Sequence, residues 1–202
     1  VEEILRVFGL DNVPVPVQMR SSIVRNEYPD PNQVRNAIGD YLAANGFNEI
    51  MSLSLSQSTF YKEILPRETG DIVPVNNTSN VQLDIMRPTM LFSGLEAVLN
   101  NQNRQQSDLK LFEFGKTYHD KGGGREPVAD GRADVTKVFD EPQHLAIFIS
   151  GQRWAESWRN VGNPAADYFT LKNFVENILA RLSVSGYQET VVKDEVFSYG
   201  MK

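Results

Sequence analysis

Cysteine is absent from this 202-residue chain, and only two histidines and two tryptophans occur. Without cysteine there are no disulfides, thiolate metal sites or cysteine nucleophiles, a composition that fits a reducing cytoplasm. No run of about 20 apolar residues exists, so no transmembrane helix is expected. The opening Val1-Glu-Glu-Ile-Leu-Arg has neither the layout of a signal peptide nor that of a transit peptide. Positive charge is in deficit, with 20 Lys and Arg against 26 Asp and Glu and a net charge of −6. That balance argues against a broad phosphate-binding face while leaving room for a local basic patch. Neither a membrane nor DNA is an expected partner.

The two histidines also limit chemistry. His144 opens an apolar strand and reads as structural, while His119 ends a strand and reads as exposed. No His-Glu-x-x-His or similar ligand spacing appears, and no nucleophile stands beside a base. No catalytic residues are assigned.

What remains is an ordinary globular composition, 41% hydrophobic and 23% charged, on a chain long enough to bury a sizeable core. The stretch from Asp84 to Asp120 organises the rest. Arg87-Pro88 precedes a helix over Met90–Asn101, where Leu91, Leu95, Val98 and Leu99 share one face. A strand follows from Leu109, with Leu109 and Leu111 pointing one way and Phe112 and Phe114 the other, buried on one side and partly covered on the other.

Upstream, Val1–Leu10 reads as a helix ending at Gly9, and the prolines of 11–16 mark an extended linker and a domain boundary. Asp30-Pro-Asn-Gln starts a helix with the stripe Val34, Ala37, Ile38, Tyr41 and Leu42, closed at Gly46. Phe47–Leu55 alternates as a strand, with Met51, Leu53 and Leu55 on one face and serines on the other. Ser58–Leu65 is a short helix, Asp71–Val75 a short strand and 76–80 a turn-rich loop. Downstream, Lys121-Gly-Gly-Gly-Arg opens a long flexible hairpin loop that lacks the features of a phosphate-binding loop. His144–Gly151 is a strand. Trp154 and Trp158 sit four apart on a helical face and read as packing. Asp167 opens the last long helix, with Leu171, Phe174, Val175, Ile178, Leu179 and Leu182 as its stripe, closing near Gly186 before a strand at Thr190.

The runs Met86-Arg-Pro-Thr-Met-Leu, Gly94-Leu-Glu-Ala-Val-Leu-Asn-Asn-Gln-Asn-Arg-Gln-Gln and Leu111-Phe-Glu-Phe-Gly-Lys-Thr-Tyr resemble the β subunit of bacterial phenylalanyl-tRNA synthetase. Gly151-Gln-Arg-Trp, Asp167-Tyr-Phe-Thr-Leu-Lys and the first fourteen residues extend the likeness over essentially the whole chain, and both ends look cut from a longer protein. The resemblance implies an α+β fold, an antiparallel sheet with flanking helices like the class II synthetase core. Residues 1–16 would end a preceding small domain and 17–202 would form the synthetase-like module.

It further implies a non-catalytic partner of the catalytic α subunit in a heterotetramer of two α and two β chains. The whole enzyme joins phenylalanine to its tRNA with ATP and magnesium. Glu2 and Glu3 occupy positions that bind magnesium in the family together with acidic residues further upstream; read locally, they are solvated glutamates at a helix end. The helix and strand of Asp30–Leu55 are similar to the first class II signature, which builds subunit contacts, although its usual closing proline is missing. His119 stands where the family resemblance places an arginine that steadies the α-phosphate of ATP, and an imidazole cannot make that bidentate contact. Two other readings stay open: an amino-acid-binding regulatory paralogue and a catalytic class II enzyme.

Overall fold

The computed structural model describes residues 1–14, 17–18, 21–22, 29–65, 71–76, 80, 82–121, 139–154, 157–192, 197 and 200–201. The chain divides into two compact units, Val1–Pro31 and Asn32–Lys202. In the first, α1 (Glu2–Phe8) stops at Gly9, whose φ of 86° suits glycine, and a 3-10 turn at Leu10–Asn12 follows. That turn replaces the first part of the expected extended linker.

The second unit opens on α2 (Pro31–Ala44), which buries Ile38 and Leu42. Its end is a full Schellman closure. Gly46 sits at φ 83°, its amide donates to the Ala43 carbonyl at 3.0 Å, and the Phe47 amide donates to Leu42 at 3.1 Å. The closure drops Phe47 into the core beside Phe174, their rings edge to face at 4.8 Å.

The main sheet has the order β1-β4-β7, from β1 (Asn48–Glu49), β4 (Leu109–Lys116) and β7 (Gln143–Ser150). β4 and β7 pair antiparallel from Leu109↔Ser150 to Lys116↔Gln143, while β1 joins β4 in parallel. The α+β expectation holds, with one parallel edge added. Period two gives β4 two different faces. Phe112 packs with Ile38, Leu42, Phe47 and Ile178, under α2 and α5 (Tyr168–Arg181). On the other face lies α4 (Leu91–Gln102), so close that a Cβ on Gly94 would come within 1.9 Å of the Phe148 ring.

A second core forms from Tyr61 and Leu65, near α3 (Ser58–Glu63), with Ile85 of β3 (Ile85–Met86) and Phe92. The Phe92 ring stacks on Phe60 at 4.7 Å and meets Tyr61 edge to face at 5.0 Å. Phe92 and Gly94 are therefore the buried residues of α4, whereas Leu95 and Leu99 are exposed. The expected stripe is rotated. Six apolar residues spread around this helix, and spacing alone does not say which are covered.

The segment expected as one strand from Phe47 to Leu55 is two short ones. β1 lies on β4, and β2 (Leu55–Ser56) pairs antiparallel with β3. Downstream, β5 (His119–Asp120) pairs with β6 (Phe139–Asp140), confirming a hairpin whose glycines at 122–124 lie outside the described residues. The expected strand at Asp71–Val75 is reduced to an isolated bridge, Pro74↔Ile85.

Asp167 caps α5 through a capping box with Thr170. The helix ends three residues earlier than Gly186 suggests, because Ser183 takes the left-handed position at φ 57° and the Val184 amide reaches Leu179 at 2.9 Å. Within α5, Val175 is exposed. β8 (Val191–Val192) pairs with β9 (Gly200–Met201). No helix among the described residues is long and apolar enough to cross a membrane.

The N-terminus of α3 has no cap of its own, since Gln57 makes no side-chain bond to it. Asp84 serves instead. The Ser58 amide donates to its Oδ1 at 2.8 Å and the Ser58 hydroxyl to its Oδ2 at 2.6 Å. Partial burial pushes the Asp84 carboxyl up, but the Ser58 donors and the Lys62 charge outweigh it and hold the pKa below the usual value. A depressed carboxylate contributes stability above its unfolded pKa and loses it as pH falls through the folded value. Asp84→Ala should therefore cost about 1 kcal/mol at pH 7, with the gap to the parent narrowing below about pH 4, as read by urea unfolding at both pH values.

Candidate functional site

One buried ion pair controls the face of the sheet that α4 covers. Arg87 and Glu113 are 3% and 2% exposed, and Arg87 Nη1 donates to Glu113 Oε1 at 2.8 Å. Arg87 Nε donates to the Lys116 carbonyl at 2.9 Å, and Nη1 lies 3.4 Å from Ser93 Oγ. The guanidinium lies across β4 at Gly115, where a Cβ would meet Nη2 at 2.2 Å. The Arg87 backbone works as well, its amide donating to Ser54 at 2.9 Å and its carbonyl accepting from Tyr118 at 3.0 Å.

The same pair shapes the crossing from β1 to β2. The Ile50 amide still bonds to Phe112 on β4, but the Ser52 amide turns to Glu113 Oε1 at 3.3 Å. The inner side of this segment therefore meets charged acceptors and donors, which suit backbone amides and small hydroxyl residues. Ser52 and Ser54 are half-buried and Ser56 buried, while Met51 is 97% and Leu53 66% exposed. The alternation read from the sequence is correct, and its faces are reversed. Apolar alternation suggests a core strand; the buried charges force it outward.

Beside the pair lies an open cavity of about 470 Å³, lined by Pro88, Thr89, Met90, Leu91, Thr117, His119 and His144–Phe148. His119 is half-buried rather than exposed, its Nε2 3.2 Å from Thr117 Oγ1, while His144 is exposed. Among the described residues the lining holds no arginine, lysine or carboxylate. Lys121 pairs with Asp140 at 3.3 Å. No described cationic side chain therefore lines this cavity.

Glu2 and Glu3 lie in the first turn of α1, both exposed, and Glu3 is 3.4 Å from Arg6. Neighbouring helical positions point about 100° apart. No described group of three or more His, Cys, Asp or Glu could hold an ion. By themselves the two glutamates do not fit a magnesium site. The tryptophans depart from their reading too. Trp154 is 56% and Trp158 84% exposed, on bends and turns rather than a helix.

The fold is that of a class II aminoacyl-tRNA synthetase core. A crystal structure of pyrrolysyl-tRNA synthetase from Desulfitobacterium hafniense superposes with a TM-score of 0.58 at 10% identity, over 84% of this chain and 53% of that one. A further structure from this organism, of the pyrrolysyl tRNA synthetase PylSc, gives 0.55 at 11% identity, over 82% and 50%.

Sequence comparison is more specific. The family model "Phenylalanyl tRNA synthetase beta chain CLM domain" matches residues 16–200, and the chain belongs to that family. The phenylalanine–tRNA ligase β subunit of Bacteroides thetaiotaomicron is 33% identical over 98% of this chain and 24% of its own length. That of Dickeya dadantii is 33% identical over 89% and 21%. The chain thus spans about a quarter of the relatives it matches.

Of the sequence-level assignments, the Asp30–Leu55 unit and His119 both border the Arg87–Glu113 pair or its cavity. The pair itself was missed. A charged residue inside the apolar run Leu-Phe-Glu-Phe was the available signal, and a second charge next to Pro88 its natural partner. Removing one member strands the other, so Arg87→Met should lower stability by about 3–5 kcal/mol. Glu113→Gln should cost distinctly less, because the amide oxygen still accepts from Arg87 and Ser52. Equal losses in urea denaturation would mean that the charge, rather than the hydrogen bonds that glutamine keeps, holds this face.

Proposed function

We propose that this chain is part of the β subunit of phenylalanine–tRNA ligase, the enzyme that attaches phenylalanine to its tRNA using ATP, in the cytoplasm. Its synthetase-like module would act as a non-catalytic structural partner of the catalytic α subunit, in a heterotetramer of two α and two β chains. The observation that carries the partner role is the outward pair Met51 and Leu53, fixed on the α2–β1–β2 unit by Glu113 and Arg87. Two large apolar side chains on a pinned backbone are suited to burial against another protein.

The proposed boundary separates residues 1–16 from 17–202, and the family match beginning at residue 16 supports it. Magnesium at Glu2 and Glu3 belongs to this proposal only for the full-length subunit, where further carboxylates would complete an oxygen set. The tRNA is likewise a partner of the whole enzyme.

The apolar cavity beside His119 favours one second reading, an amino-acid-binding regulatory paralogue. Co-purification with the catalytic α subunit, with mass read by light scattering, separates the two. A stoichiometric complex is expected, and the double substitution Met51→Asp/Leu53→Asp should abolish it while leaving the fold intact by circular dichroism. Free elution together with saturable binding of a free amino acid would favour the paralogue instead.

A further inference from the structure

The segment after β7 is held firmly yet presents both tryptophans to solvent. The Gly151 carbonyl accepts from Ala166 at 2.9 Å, and Gln152 bridges to Ala165. Asn163 ties the two limbs together, its Nδ2 donating to Gln152 Oε1 at 2.6 Å and to the Trp154 carbonyl at 2.7 Å. A turn at Ser157, whose carbonyl accepts from Asn160 at 2.9 Å, sets Trp158 and Arg159.

Each tryptophan carries its own guanidinium. Arg153 Cζ lies 5.4 Å from the Trp154 ring centroid and Arg159 Cζ 5.0 Å from that of Trp158. A cation over one ring face leaves the opposite face available, and the outward edge of a stacked guanidinium keeps N–H donors for phosphate oxygens. The described charged side chains between 151 and 167 are these two arginines and Asp167, whose carboxyl lies within the field of Arg153; Asp108 accepts from the Gln152 amide at 2.8 Å, and the sequence adds Glu156. Neither ring belongs to the two described cores.

We propose that Trp154 and Trp158, with Arg153 and Arg159, form a stacking contact for unpaired nucleotides of RNA. Each ring takes a base on its open face, and the paired guanidinium meets an adjoining phosphate. The choice of RNA rests on the reading of the chain as part of a tRNA ligase; the stacking geometry does not.

The two tryptophans are the chain's only ones, so intrinsic tryptophan emission reports on this contact alone. Titrating the chain at low salt with an unstructured twelve-nucleotide RNA should give saturable quenching that weakens as salt rises. Trp158→Ala should reduce affinity about tenfold, Trp158→Phe should restore most of it, and Arg159→Gln should flatten the salt dependence. Trp154→Ala, read through Trp158, tests the second ring. Absence of quenching at tens of micromolar RNA, or equal quenching by a blunt duplex, would overturn the proposal. So would shielding of both tryptophans from acrylamide by the α subunit with no response to RNA, a result that leaves the β-subunit reading standing.

Discussion

The Arg87–Glu113 pair is the interaction on which the second unit depends. Two charges taken out of water are costly unless each is met by a partner and by further hydrogen bonds. Here the guanidinium meets a carboxylate, a backbone carbonyl on β4 and a hydroxyl at the start of α4, while Glu113 Oε1 also receives an amide from the β1–β2 crossing and Oε2 is buried without a hydrogen-bond partner among the described residues. One pair therefore joins segments far apart in the chain: residues 52–54, the entry to α4, and the middle of β4. Small residues make this possible. Gly115 leaves room for the guanidinium, and Gly94 brings α4 against Phe148.

Much of this architecture is legible in the sequence. Asp30-Pro-Asn-Gln and Gly46 bracket α2, the alternation of 109–116 gives β4 and the apolar run of 143–150 gives β7. Local rules suffice there because capping, glycine closure and apolar runs are all short-range. What escapes is the choice of face. Leu95 and Leu99 have the same periodicity as a buried stripe, but Phe92 fills the second core and so rotates them outward. Met51 and Leu53 alternate like core residues and lie on the wrong side for the same kind of reason: the inside is taken by charge. Trp154 and Trp158 have helical spacing without a helix, since the Asn163 hydrogen bonds of that loop are invisible to periodicity.

The candidate site was legible in its setting rather than in its members. His119 follows β4 as expected but is half-buried in the short strand β5, and the 47–55 segment, expected as one strand, is divided between β1 on β4 and β2 on β3. The controlling pair could not be inferred from spacing, because residues 87 and 113 meet only once β4 and the segment entering α4 are docked together. Their resolution is tertiary.

A phosphate clamp and a structural ion pair make competing demands on the same kind of side chain. A guanidinium that stabilises charge developing on a nucleotide must keep its donors aimed at the ligand. Arg87 turns its hydrogen bonds inward, to Glu113, Lys116 and Ser93, and thereby fixes the shape of the β1–β2 crossing. The cavity alongside is left with imidazole and hydroxyl groups on an apolar wall. An inward arginine of this kind favours a rigid outer surface over a reactive inner one. On the proposed reading, what the class II core supplies here is a fixed edge carrying Met51 and Leu53, and the strength of its partner contact would follow from the stiffness of that edge rather than from the chemistry of the cavity.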